Sequence, residues 1–135
     1  MDFEIGFTDK EITPWGGMAL MKRMLDRSKI DDLIASLGIS APGSNRGYYP
    51  EQIIKSFLVS VWCGANRFMH TEVTRQDEVI GRIFGWKRIC GQDTYRRFFG
   101  KFTQGMNQRV FTLTSMPGAD TTKHENIRLF VDIFI

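Results

Sequence analysis

Pro50-Glu51-Gln52-Ile53-Ile54-Lys55-Ser56-Phe57-Leu58-Val59-Ser60-Val61-Trp62-Cys63-Gly64 is the stretch from which the rest of the chain can be organised. Proline suits the first position of a helix, where its missing N–H would have no partner and its φ is already set. Ile53, Ile54, Phe57, Leu58, Val61 and Trp62 then recur at three- and four-residue steps, which places them on one helical face. The spacing predicts a helix over 50–64 that is the buried spine of a domain.

Working outward, the elements on both sides also read as helices. Thr13 before Pro14 predicts a helix start, with Trp15, Met18, Met21 or Leu20, Met24 and Leu25 inward and an end near Arg27. Ser28 and Asp31 are spaced like a capping box for a short helix through Ile30, Leu33, Ile34 and Leu37, closed by Gly38. Residues 39–49 cluster Pro, Gly, Ser and Asn and read as a loop. Beyond the spine, helices are predicted from Met69 to about Arg75 and from Glu78 to Phe84, the latter capped by Asp77 and stopped by Gly85. Asp93 can cap a helix over Thr94–Phe102, and a last helix is predicted over roughly 105–113. Residues 3–7 alternate and predict a short edge strand. At the other end, Ile127-Arg128-Leu129-Phe130-Val131-Asp132-Ile133-Phe134-Ile135 has seven apolar residues in nine, four of them β-branched, and reads as an orphan C-terminal strand. The expected fold class is mainly α: a small helical domain over 1–112 with a helix-turn-helix-like segment, then a diverged linker and strand over 113–135.

Composition bounds the function. The chain has 135 residues, 42% apolar and 24% charged, too apolar for disorder and too charged for a membrane bundle. An acidic beginning and the lack of a long apolar run argue against a secretory or membrane-spanning protein. Cys63 and Cys90 have no CxxC spacing. They can form a disulfide or sit as two buried thiols in a reducing compartment. The net charge of +3 is uneven: residues 1–45 carry −2, residues 46–109 carry +6 and residues 110–135 carry −1. Within 82–101, six basic residues face Asp93 alone, a balance that attracts polyanions.

Segment 77–103 carries the most chemistry. In the helix after the turn, Phe98, Phe99 and Phe102 can face a core while Arg96, Arg97 and Lys101 project outward. Gln92, Thr94 and Tyr95 stand near its N-terminal end. An apolar back, a basic front and small polar residues at the leading end are what a recognition helix needs. The turn is longer than the usual three or four residues or so, which makes this a helix-turn-helix variant. The same pattern also describes an amphipathic helix with a solvated basic face. Arg46 beside Tyr48 and Tyr49, and Lys87 with Arg88 beside Trp86, mix charge and stacking in the same way. His70 and Glu72 form an H-x-E, but the P-C-x-x-C of a zinc deaminase is missing, so no metal site is predicted. No Walker loop or G-x-G-x-x-G is present, and no complete active site emerges.

Several blocks in order carry a family resemblance: Thr13-Pro14-Trp15-Gly16-Gly17-Met18-Ala19-Leu20, Asn45-Arg46-Gly47-Tyr48-Tyr49-Pro50-Glu51-Gln52, Gly64 to Glu72, Ile83-Phe84-Gly85-Trp86 and Asp93 to Phe99. Over about residues 3–112 the chain resembles the N-terminal region of bacterial DDE-type insertion-sequence transposases of the insertion sequence 1380 group. The resemblance implies binding to duplex DNA, in particular insertion-sequence terminal repeats, and association with a second copy or with full-length transposase. It implies a cytoplasmic, nucleoid-associated protein. In the intact family an RNase-H-like core follows, where carboxylates hold divalent metal, Mg, for strand transfer. Here the nearest candidate for the first catalytic Asp is Asp132. The second Asp of that pattern falls on Phe134, and the following Ser-Thr is missing. The expectation is a truncated remnant that lacks catalytic activity and needs no cofactor. Its alternative role is to pair with intact transposase and inhibit it.

Overall fold

A spine helix that is apolar on more than one side must be covered from more than one side, and this requirement organises the molecule. A computed structural model describes residues 4–44 and 46–105. The described part is mainly helical and contains no strand: α1 (Met18–Ser28), α2 (Ile30–Ser36), α3 (Pro50–Trp62), a 3-10 turn (Phe68–His70), α4 (Thr71–Arg75), α5 (Glu78–Phe84) and α6 (Gln92–Phe99). Of the predicted helix at 105–113 all but residue 105, and with it the linker, the 127–135 strand and Asp132, lie outside the described residues.

α3 feeds three apolar clusters. Ile54 and Leu58 pack with Leu25 of α1 and with Ile30 and Ile34 of α2. Ile53 packs with Cys90 and Tyr95. Val59 packs with Ile80 of α5 and Ile89. Each fully buried aliphatic side chain contributes about 1.5–3 kcal/mol relative to exposure, so no other element matters as much. The predicted face needs one correction. Val59, Ser56 and Ser60 are buried, whereas Val61 is only half-buried.

The two serines are buried because each hydroxyl is bonded. Ser56 Oγ donates to the Ile53 carbonyl at 3.1 Å, and Ser60 Oγ lies 2.9 Å from the Ser56 carbonyl. Ser60 and Thr74 share a hydroxyl–hydroxyl bond of 2.7 Å, and the Tyr95 hydroxyl donates to Ser56 Oγ at 2.9 Å. Small side chains let α4 and α6 lie close against α3, and these bonds remove the cost of burying polar groups. Among the described residues no buried side-chain polar atom is left unpaired.

Local signals explain most boundaries. Asp77 caps α5, accepting from the Ile80 N–H at 3.1 Å, and its other oxygen accepts from the Thr13 hydroxyl at 2.6 Å. One carboxylate therefore both caps α5 and ties down the N-terminal segment. Gly85 ends α5 with φ 70°, a conformation that disfavours a Cβ, and the Trp86 N–H donates to the Gly81 carbonyl at 2.8 Å.

Three predicted starts and one predicted strand shift. The segment after Thr13 is a turn over 14–17, with Gly16 and Gly17 delaying α1 to Met18. Ser28 does not cap α2. Its hydroxyl donates back to the Leu25 carbonyl at 2.8 Å, and Lys29 takes a left-handed φ of 51° between α1 and α2. α6 opens at Gln92 rather than Thr94, with Gly91 at the cap. Residues 4–7 form no strand and have no partner strand among the described residues, and Phe7 is fully exposed. An isolated strand has nothing to satisfy its backbone but water.

Removing the double-duty carboxylate should be costly. Asp77→Ala is expected to lower unfolding stability by about 1–2 kcal/mol, the upper range for a lost N-cap. Thr13→Val should lose less, because the cap itself survives. Urea unfolding of the three proteins checks the order.

Candidate nucleic-acid interface

The periodicity of α6 divides its residues among three directions. Tyr95 points into the core and is fully buried, with its phenol pushed above the usual tyrosine range by burial. Its placement as a DNA-contact residue is therefore corrected: the ring serves the core, and its hydroxyl is committed to Ser56. Phe98 and Phe99 are half-buried and join an aromatic cluster with Phe57 and Phe102. The remaining positions face outward, but not all the same way.

Thr94, Arg97 and Lys101, three and four residues apart, line one side of a groove of about 620 Å³. The opposite side is the 39–48 loop, with Ser40, Ser44 and Tyr48. Arg96 does not join them. It is exposed and lies 3.9 Å from Asp93, one turn back on α6. Arg97 Nε donates to the Asp93 carbonyl at 3.2 Å, which fixes the base of its guanidinium on α6.

A second group of cations adjoins the groove through Tyr48. The Arg88 guanidinium sits 5.2 Å from the centre of the Tyr48 ring, a cation–π contact, and Arg88 Nη2 donates to the Arg46 carbonyl at 3.4 Å. Gln52 of α3 donates to the Arg88 carbonyl at 2.7 Å and anchors this strip to the spine. Gly47 is required here, because a Cβ at that position would collide with the Pro42 side chain. Arg46, Lys87 and Arg88 are exposed. Among the described residues, no carboxylate lies within ion-pair distance of Arg46, Lys87, Arg88, Arg97 or Lys101.

The N-terminal end of α6 is already occupied. Glu72 of α4 accepts from the Gln92 N–H at 3.0 Å and holds Arg75 at 2.7 Å. The backbone N–H at the α6 terminus and then the Arg75 guanidinium hold the Glu72 carboxyl below its usual range, against an opposing desolvation effect. A carboxylate thus stands where a phosphate would meet the end of a recognition helix. Gln92 is half-buried beside this cap.

No family model matches the chain, and no curated protein or solved structure is significantly similar to it. The role of this surface therefore rests on its own residues. Among the described residues no three His, Cys, Asp or Glu side chains are grouped to hold a metal ion. Cys63 and Cys90 are free, and burial pushes both thiols up to about 11. At that value the reactive thiolate is scarce at neutral pH. No helix among the described residues is long and apolar enough to cross a membrane.

α5 and α6 do not reproduce a closely packed pair. α6 packs on α3 and the 3-10 turn, while α5 packs on α1 and α4. Sequence reasoning placed Glu72 in a rejected metal motif and did not single out Arg75. Gln92, whose N–H Glu72 accepts, is twenty residues away, so local pattern carries no signal of the cap.

The cap has a pH signature. Because the folded-state pKa of Glu72 is depressed, its contribution is complete above the unfolded carboxylate pKa and is lost as pH falls through the folded value. Glu72→Gln should destabilise the protein by about 0.5–1 kcal/mol at neutral pH. The gap in melting temperature from wild type should close as pH drops below about 4. Thermal melts across pH 3–7 or so check both signs.

Proposed function

We propose that the chain is a DNA-binding module of an insertion-sequence transposase, docking on duplex DNA, in particular the terminal repeats of the element. The observation that carries this reading is the group of exposed cations around the α6 groove, Arg97, Lys101, Arg46, Lys87 and Arg88, with no described carboxylate to neutralise them. Exposed cations without carboxylate partners exchange readily onto phosphates, with release of the DNA's condensed counterions. The resemblance of residues 3–112 to the N-terminal region of DDE-type transposases supports the same reading and names the DNA. In this reading the module positions DNA and performs no strand chemistry itself.

Fluorescence anisotropy of a terminal-repeat duplex at low and high salt tests it. Arg97→Ala/Lys101→Ala should weaken binding about tenfold or more and flatten the salt dependence by about two counterions. Arg96→Ala should do less, because Arg96 lies off the groove. Equal affinity and equal salt slope in wild type and double variant would mean a solvated basic face, and the reading fails.

A separate observation favours a second reading, pairing with full-length transposase and inhibition of it. Ile5, Phe7 and Ile12 are 82%, 100% and 80% exposed along one short segment, an apolar series on a surface that solvent disfavours. Co-purification with full-length transposase should be lost in Ile5→Ser/Phe7→Ser. Retention in that variant would remove these residues from the contact.

A further inference from the structure

Resting on the DNA-binding reading, we infer that the groove between the 39–48 loop and α6 holds an unpaired nucleotide of a DNA strand, its base on the apolar floor and its phosphate on Arg97 and Lys101. The groove's two halves differ in chemistry. Its floor is made by Ile53, Phe98 and Phe102, and its rim carries Arg97 of α6 and Lys101 just beyond the helix. No carboxylate lines it among the described residues. Its volume of about 620 Å³ falls in the range of small-molecule sites, roughly 300–1,000 Å³.

A duplex can satisfy the rim but not the floor. Its phosphates lie on the outside, and its bases turn their flat faces to one another rather than to the protein. An apolar floor needs an apolar plate, and an unpaired base presents one whatever its identity. The rim then meets the same nucleotide's phosphate. Arg97 is oriented for this by its Nε bond to the Asp93 carbonyl, which leaves both Nη groups without a described partner. Ser40, Ser44 and Thr94 bring hydroxyls to the walls, where a base edge or sugar can bond to them. Within the groove's loop side Gly47 lies close to Pro42, and the Arg88 guanidinium lies over the Tyr48 ring.

Two fluorescent probes with the same duplex sequence test this, one blunt and one carrying a short single-stranded overhang that contains 2-aminopurine. Wild type should bind the overhang probe about tenfold more tightly than the blunt one, with a change in 2-aminopurine fluorescence on binding. Phe102→Leu should abolish that difference, and Arg97→Ala/Lys101→Ala should weaken both. Because Phe102 also packs on Phe98 and Phe99, a thermal melt accompanies it. Ser44→Trp, which fills the groove from an exposed loop position, gives the same readout if Phe102→Leu fails to fold. Equal wild-type affinity for the two probes, or equal loss on both with either groove variant, overturns the inference. Failure of wild type to bind either probe overturns the DNA-binding reading itself, which is a different result.

Discussion

The hydroxyl relay between α3, α4 and α6 is the constraint on which the rest of the described structure depends. Ser56 and Ser60 leave room on α3 where larger side chains would hold the neighbouring helices apart. Thr74 and Tyr95 then reach that room and bond there. A buried hydroxyl without a partner costs about 1–3 kcal/mol, so each partner must arrive in register. The relay therefore specifies a position as well as contributing stability.

Its strongest consequence is the rotation of α6. With Tyr95 pinned against Ser56, the helix has no freedom to turn about its axis. Thr94, Arg97 and Lys101 must then look toward the 39–48 loop, while Arg96 must look away. The basic surface is thus a by-product of core geometry. Its sidedness comes from one buried phenol, and its depth comes from a loop folded tightly at Gly47. The N-terminal end of the same helix is capped by the Glu72 carboxylate, while Arg97 stands on its side.

Electrostatics and packing meet again at Asp77. The carboxylate that caps α5 also holds Thr13, and the exposed ion pair between Arg82 and Glu11 lies on the same seam. That pair adds little, as exposed pairs do, but it places the N-terminal segment across α5. The apolar residues Ile5, Phe7 and Ile12 are carried outside the core as a result, although their composition alone would have put them inside.

By itself the sequence determined that the described part is helical and where some of its helices begin or end, because those depend on neighbours a few residues apart. Pro50, Asp77 and Gly85 act through the first and last turns of their own helices, so a linear reading finds them. It also determined the apolar spine and the excess of positive charge in the middle of the chain. Only the tertiary structure decided which charges stand together. The division of Arg96 from Arg97, the burial of Tyr95, the stack of Arg88 on Tyr48 and the capping of α6 by Glu72 join residues brought together by packing. Segment 4–7, which forms no strand, shows the same limit from the other side, since alternation makes a strand only where a second strand is present to bond it. Capping and periodicity are local forces written in order along the chain. The candidate interface arises from helix rotation and loop closure, which are set by contacts across the fold.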